Sequence, residues 1–133
     1  MRKKNSVPEF SSQRSVFLLR NFRRSLAEQS VISVRKAFGD AVDAPAPRFW
    51  VSESRATAVI KMMLDGYDPT EGMYAEKREM FKEIYRRVVE MRAQNPGMAL
   101  GDLVFEVVNS AAPRSYLSWE RARRIIREER RKK

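Results

Sequence analysis

The feature that most constrains this chain is an internal repeat with an offset of 66 residues. The segment APRFWVSESRATAVIK, residues 46–61, returns as APRSYLSWERARRIIR, residues 112–127. Seven of the sixteen aligned positions are identical, and four more keep their chemical character, as at Trp50 and Tyr116. The repeat predicts that the chain contains two copies of one structural unit, related by an ancient duplication.

A simpler explanation accounts for part of the repeat. Proline followed by an aromatic, an aliphatic and a serine is a convenient way to enter a helix, and it would explain the shared Pro and Ser positions. It explains the arginines less well, because helix entry does not require Arg48 and Arg114, or Arg55 and Arg121. The aromatics Trp50 and Tyr116 are expected to anchor the segment to the core, with base stacking as the alternative.

Apolar residues recur at helical spacing through most of the chain. Pro45 and Pro47 cannot continue a helix, and Ser52 and Ser118 suit the N-cap position of the helices that follow them. The β-branched VFEVV segment also allows a strand. The predicted helices cover 12–27, 31–42, a third stretch that follows Ser52 and ends near Gly66, 74–93, 100–108, and a last one from Trp119 to near the end.

These elements predict an all-α fold with six helices in two similar three-helix units that resemble helix-turn-helix domains in outline. One compact domain could hold both units, given a length of 133 residues. The predicted organisation is a flexible basic N-terminus at 1–11, a first unit at 12–66, a linker at 67–74 and a second unit at 75–133.

Composition removes several functional classes. The chain has no cysteine and no histidine, so disulfides, thiol or histidine catalysis and the usual zinc sites are excluded. The acids of the linker region lack the ligand spacing of a calcium loop, and we expect no metal and no cofactor. An enzyme is therefore not expected. No apolar run is long enough for a membrane span or a signal peptide, so we expect no membrane contact and a cytoplasmic location.

Charge is concentrated at the two ends of the sequence. The net charge is +10, with +7 over residues 1–36, zero over 37–64, −3 over 65–110 and +6 over 111–133. A charge this far from neutral favours an acidic partner such as nucleic acid. Basic tails that only improve solubility are the alternative.

The second copy of the repeat carries most of the candidate binding residues. Its last helix is amphipathic, with Ala122, Ile125 and Ile126 on one side and arginines on the other, and the first copy lacks this basic face. A solvated face with local pairs to glutamates is the alternative. The predicted nucleic-acid-binding residues are Arg114, Arg121, Arg123, Arg124, Arg127, Arg130 and Arg131, with Arg48, Arg55 and Lys61 as a secondary basic set.

The motif pair PRFWVS..RA..VI and PRSYLS..RA..II, from about residue 44 onward, resembles uncharacterised small helical proteins of gut Bacteroidetes. The resemblance implies a bacterial or phage setting and a mobile-element origin, and it implies no activity.

We therefore expect a non-enzymatic accessory or regulatory protein that binds nucleic acid, with DNA favoured over RNA, through its Arg-rich last helix. The alternative is a helical module that binds a protein partner or forms a homo-oligomer.

Overall fold

The chain forms an all-α structure, as the apolar periodicity predicts. The computed structural model describes residues 10–132, and VFEVV lies within a helix. Six helices occupy most of these residues: α1 (Ser11–Glu28), α2 (Val34–Asp43), α3 (Glu53–Leu64), α4 (Ala75–Gln94), α5 (Leu100–Val108) and α6 (Trp119–Arg131).

The repeat is visible in the helix boundaries. Helices α2 and α5 begin at Val34 and Leu100, and helices α3 and α6 begin at Glu53 and Trp119, each pair separated by the 66-residue offset of the sequence repeat. The offset therefore relates α1 to α4, α2 to α5 and α3 to α6.

The predicted serine caps are confirmed in both copies. The Ser52 Oγ accepts a hydrogen bond from the Arg55 amide at 3.1 Å, and the Ser118 Oγ accepts one from the Arg121 amide at 3.2 Å. Each hydroxyl satisfies a backbone N–H that the first helical turn leaves without a partner.

Packing exchanges the third helix between the two sequence units. Helix α6 packs against α1 and α2, and helix α3 packs against α4 and α5. Each group has its own buried core. The first contains Leu18, Leu19, Phe22, Ala37, Phe38, Ala41, Ile125 and Ile126. The second includes Val59, Ile60, Phe81, Ile84, Val88, Leu103, Val104 and Val107.

This arrangement differs from the two helix-turn-helix-like units predicted at 12–66 and 75–133. Across residues 10–132, α2 does not pack on α3 and α5 does not pack on α6. The reason lies in the two connections, residues 44–52 and 109–118, here called the first and second joints. Each joint is an irregular segment with several bends and one bridging residue, and it carries the chain across to the other group before the next helix begins.

The two joints are held together by their backbones. The amide of Ala46 donates to the carbonyl of Ala112 at 2.9 Å, and the amide of Ala112 donates back to the carbonyl of Ala46 at 2.9 Å. Because the offset relates these two residues to each other, the bridge they form lies on a local two-fold axis between the copies.

A second pair of backbone bonds obeys the same symmetry. Phe49 donates to the carbonyl of Val108 at 2.9 Å, and Ser115 donates to the carbonyl of Val42 at 2.9 Å. Phe49 and Ser115 are equivalent positions, as are Val42 and Val108. The exchange of the third helices is therefore fixed by matched bonds on both sides of the axis.

Two local predictions need correction. The second helix was expected from residue 31, but it begins at Val34, because the Ser33 Oγ accepts from the Lys36 amide at 3.2 Å and caps it. The flexible segment was expected to reach residue 11, but α1 already begins at Ser11, and the Phe10 ring is buried 6.1 Å from the Trp50 ring. The rest of that segment, residues 1–9, lies outside the described residues.

Candidate nucleic-acid interface

Three arginines form an exposed basic face on α6. Arg124, Arg127 and Arg131 are exposed, and they lie opposite the buried Ala122 and Ile126. Among residues 10–132, a single ion pair involves α6 or its C-cap residue. It joins Lys132 to the Glu129 carboxylate at 3.4 Å. The three guanidinium groups are therefore open to solvent and available to an external anion. We call them the α6 basic face.

Two other predicted arginines of α6 lie against aromatic rings at its edges. The Arg123 guanidinium lies 5.4 Å from the centre of the Trp119 ring, and the Arg130 guanidinium lies 5.7 Å from the centre of the Phe22 ring. Arg35 of α2 covers Trp119 as well, at 5.0 Å. Such cation–π contacts give these residues a part in packing in addition to their charge.

The arginines at the start of the repeat hold the joints in place. Arg114 donates to the Asp43 carboxylate at 2.9 Å and lies 3.7 Å from the Glu79 carboxylate. Arg48 donates to the backbone carbonyls of Phe49 at 2.8 Å and of Val51 at 2.6 Å. Both guanidinium groups have structural partners within the chain, but the partners of the two arginines differ.

The remaining predicted cations separate into two places. Lys61 lies on the exposed side of α3, 3.4 Å from the Asp65 carboxylate. Arg55 and Arg121 are exposed on the first turns of α3 and α6, and both line one cavity between the joints. The structure therefore brings the arginine pair of the repeat together, although the two residues are 66 positions apart in the sequence.

Sequence reasoning missed the basic residues of α1. Arg20, Arg23 and Arg24 are exposed, and α1 packs directly against α6. Their spacing of three and four residues places them on one side of α1. The signal was present in the sequence, but without the exchanged packing nothing connected the first helix to the last.

The described residues offer no metal centre. Among residues 10–132, no three acidic side chains are close enough together to hold a metal ion. Within the same residues, none of the helices combines the length and apolar character needed to cross a bilayer.

Comparison of the chain with protein-family models, with curated proteins and with solved structures found no match.

Proposed function

We propose that the protein binds nucleic acid, with DNA favoured over RNA, through the α6 basic face. The observation that carries this proposal is the exposure of Arg124, Arg127 and Arg131 without acidic partners in the described part of the chain. When unpaired guanidinium groups neutralise the phosphates of a nucleic acid, the nucleic acid releases its condensed counterions. This release favours binding.

The surroundings of α6 support contact with phosphates over a larger area. The exposed Arg20, Arg23 and Arg24 lie on the neighbouring helix α1, and the whole chain has a net charge of +10. A helix of thirteen residues is about 20 Å long, which matches several phosphate spacings along a duplex. In this proposal the arginines contact phosphates first, and one or two of them reach base edges.

The biological role that fits this mode of binding is that of an accessory or regulatory protein of a bacterium or phage. It acts in the cytoplasm by positioning nucleic acid and carries out no chemistry on it. This role rests on the resemblance of the repeat motif and on the charge of the chain.

The test is a gel shift with single- and double-stranded DNA and RNA over a series of salt concentrations. Arg124→Ala combined with Arg127→Ala should lower the slope of log affinity against log salt by about two, because each lost phosphate contact lowers it by about one. Lys82→Ala combined with Arg92→Ala removes the same charge from exposed positions of α4 and should leave the slope nearly unchanged. Equal slopes for the two variants, or no binding at low salt, would contradict the proposal.

A second candidate function is a helical module for protein partners or self-association. The observation that favours it is the exposure of three neighbouring apolar residues, with Val31 85%, Ile32 59% and Val34 49% exposed. Exposed apolar groups that lie together often mark an interaction site. Sedimentation over a range of concentrations tests this function. This function predicts self-association or binding of a partner protein, and the double variant Val31→Ser with Ile32→Ser should weaken that binding. Added salt should leave it unchanged.

A further inference from the structure

A cavity of about 390 Å³ lies between the two joints, at the local two-fold axis. Residues from both copies form its walls at equivalent positions. Six such pairs line it: Phe10 and Glu76, Arg14 and Met80, Trp50 and Tyr116, Val51 and Leu117, Ser52 and Ser118, and Arg55 and Arg121. Its volume falls within the range of small-molecule sites in proteins. The exchanged packing thus creates a space that neither sequence unit forms by itself.

The cavity is strongly cationic. The described residues that line it include Arg14, Arg55, Lys77 and Arg121, against a single acid, Glu76. None of these four cations has a carboxylate within 4.0 Å among residues 10–132. Unpaired positive charges that converge on one space repel each other unless an anion lies between them.

Arg14 shows this lack of a counter-charge most clearly. Its Nε is buried and has no hydrogen-bond partner among the described residues. Burial lowers the pKa of the Arg14 guanidinium, and the positive charge of Arg121 lowers it further. A buried positive charge without a counter-charge is costly, and an anion in the cavity would offset the charge of this guanidinium group.

Helix ends increase the positive potential. Helices α3 and α6 both begin at the cavity with their capping residues Ser52 and Ser118, and Lys77 lies in the first turns of α4. The N-terminal end of a helix carries a partial positive charge. These ends add to the positive potential of the side chains.

Five aromatic residues also line the cavity, and one of them has a strained backbone. Phe10, Trp50, Tyr74, Phe81 and Tyr116 all line the cavity. Tyr116 has a φ of 56°, in the left-handed region that side chains other than glycine rarely occupy. Such strain occurs often where a protein holds a ligand. Aromatic side chains in the walls offer apolar contact to a ligand that contains a ring.

We propose that this cavity binds a phosphate monoester that carries an aromatic ring, of the mononucleotide class. The guanidinium groups of Arg55 and Arg121 would each present two N–H donors to the phosphate oxygens, a geometry that planar guanidinium groups favour. The aromatic residues would contact the ring. The same chemistry could come from a free mononucleotide or from the 5′-phosphate at the end of a nucleic acid. The proposal does not depend on duplex binding by the α6 basic face, which uses other arginines.

The test is isothermal titration of the full chain with adenosine monophosphate, adenosine and inorganic phosphate. We expect adenosine monophosphate to bind more tightly than either fragment. Arg55→Ala combined with Arg121→Ala should weaken it about tenfold or more, because charge-assisted hydrogen bonds are lost. Lys82→Ala combined with Arg92→Ala removes the same charge at a distance and should leave the affinity unchanged. Since the alanine variant could lose stability, Arg55→Lys with Arg121→Lys serves as a second variant, which keeps the charge, loses the planar donors and should bind with reduced affinity.

Two oligonucleotides that differ only at the 5′ end identify the source of the phosphate. Tighter binding of the 5′-phosphorylated form, lost in the Arg55 and Arg121 variants, assigns the cavity to a nucleic-acid end. Binding of adenosine monophosphate with no preference between the two oligonucleotides assigns it to a free mononucleotide. Absence of saturable binding of all phosphate ligands, or an unchanged affinity in the folded arginine variants, would overturn the proposal. Duplex binding by the Arg124 and Arg127 variant is measured separately, so failure of one proposal leaves the other testable.

Discussion

The indole Nε1 of Trp50 donates a hydrogen bond to the Oγ of Ser115 over 3.0 Å, and both side chains are buried. The symmetry-related contact is a ring stack: Phe49 and Tyr116 lie 6.0 Å apart, centre to centre, with 14° between their planes. The offset relates Phe49 to Ser115 and Trp50 to Tyr116. The two joints therefore meet through the same pair of positions twice, once by a hydrogen bond and once by stacking.

The hydrogen bond across the joints should contribute measurably to stability. Trp50→Phe should lower the free energy of unfolding by about 1–3 kcal/mol, since it leaves the buried Ser115 hydroxyl without its donor. Trp119→Phe is the matched control, because the Trp119 Nε1 is buried with no partner among the described residues and its loss removes no hydrogen bond. Urea denaturation measures both variants. An equal loss in the two would contradict a role for the Trp50 bond.

The two serine caps should have similar energies. Ser52→Ala and Ser118→Ala should each lower the free energy of unfolding by about 1 kcal/mol, because each leaves an amide of the first helical turn unpaired. Ser54→Ala, at an exposed position of α3, is the control and should change stability little. Thermal unfolding followed by circular dichroism checks the three variants, and a loss at Ser54 as large as at the caps would refute the capping role.

Stability at low pH should depend on Glu83. Its carboxylate accepts from Arg86 at 2.8 Å and from Arg87 at 2.7 Å, and these bonds hold its pKa below the ordinary value of 4.5. A carboxylate whose pKa is lower in the folded than in the unfolded state stabilises the fold at pH values above its unfolded-state pKa. This contribution to the free energy of unfolding is lost as pH falls through the folded-state pKa.

Glu83→Gln should therefore reduce the loss of stability between about pH 5 and pH 3. Urea midpoints across that range measure the effect. Glu106→Gln, at an exposed position of α5, is the control. The interpretation is wrong if wild type and the Glu83 variant lose stability in parallel.

Separated halves should be poorly folded alone and should fold together. Residues 1–68 lack the helices against which α3 packs, and residues 69–133 lack those against which α6 packs. Each fragment alone should show reduced helicity or should self-associate, and an equimolar mixture should recover the helical signal of the intact chain. Circular dichroism with sedimentation decides this. A fragment that melts cooperatively as a monomer would contradict the exchanged packing.

The sequence was sufficient for the local elements of the fold. Apolar spacing identified the buried sides of the helices, as at Ile60 and Ile126, which are fully buried. Ser52 and Ser118 marked helix starts because capping depends only on nearby backbone groups. The second helix begins three residues later than the apolar spacing predicts for the same kind of local reason, since Ser33 caps it at Val34.

The grouping of the helices could not be predicted in this way. Periodicity shows which side of α3 is buried, but it does not show whether the partner is α2 or α5. The candidate cavity was missed for the same reason. Arg55 and Arg121 stood out as a repeated pair, but their meeting at one space, with Arg14, follows from tertiary packing.

The exchange of the third helices also determines the order in which the protein can fold during its synthesis. Among the six helices, α1 and α2 leave the ribosome before the other four, yet α6, which closes their core, is the last of the six to be translated. Before α6 is made, Leu18, Phe22 and Phe38 are covered only where α1 and α2 pack on each other, as in the stack of the Phe22 and Phe38 rings 4.6 Å apart. The core of α1 and α2 is complete only when α6 is in place, so part of this apolar surface remains exposed until translation reaches that helix.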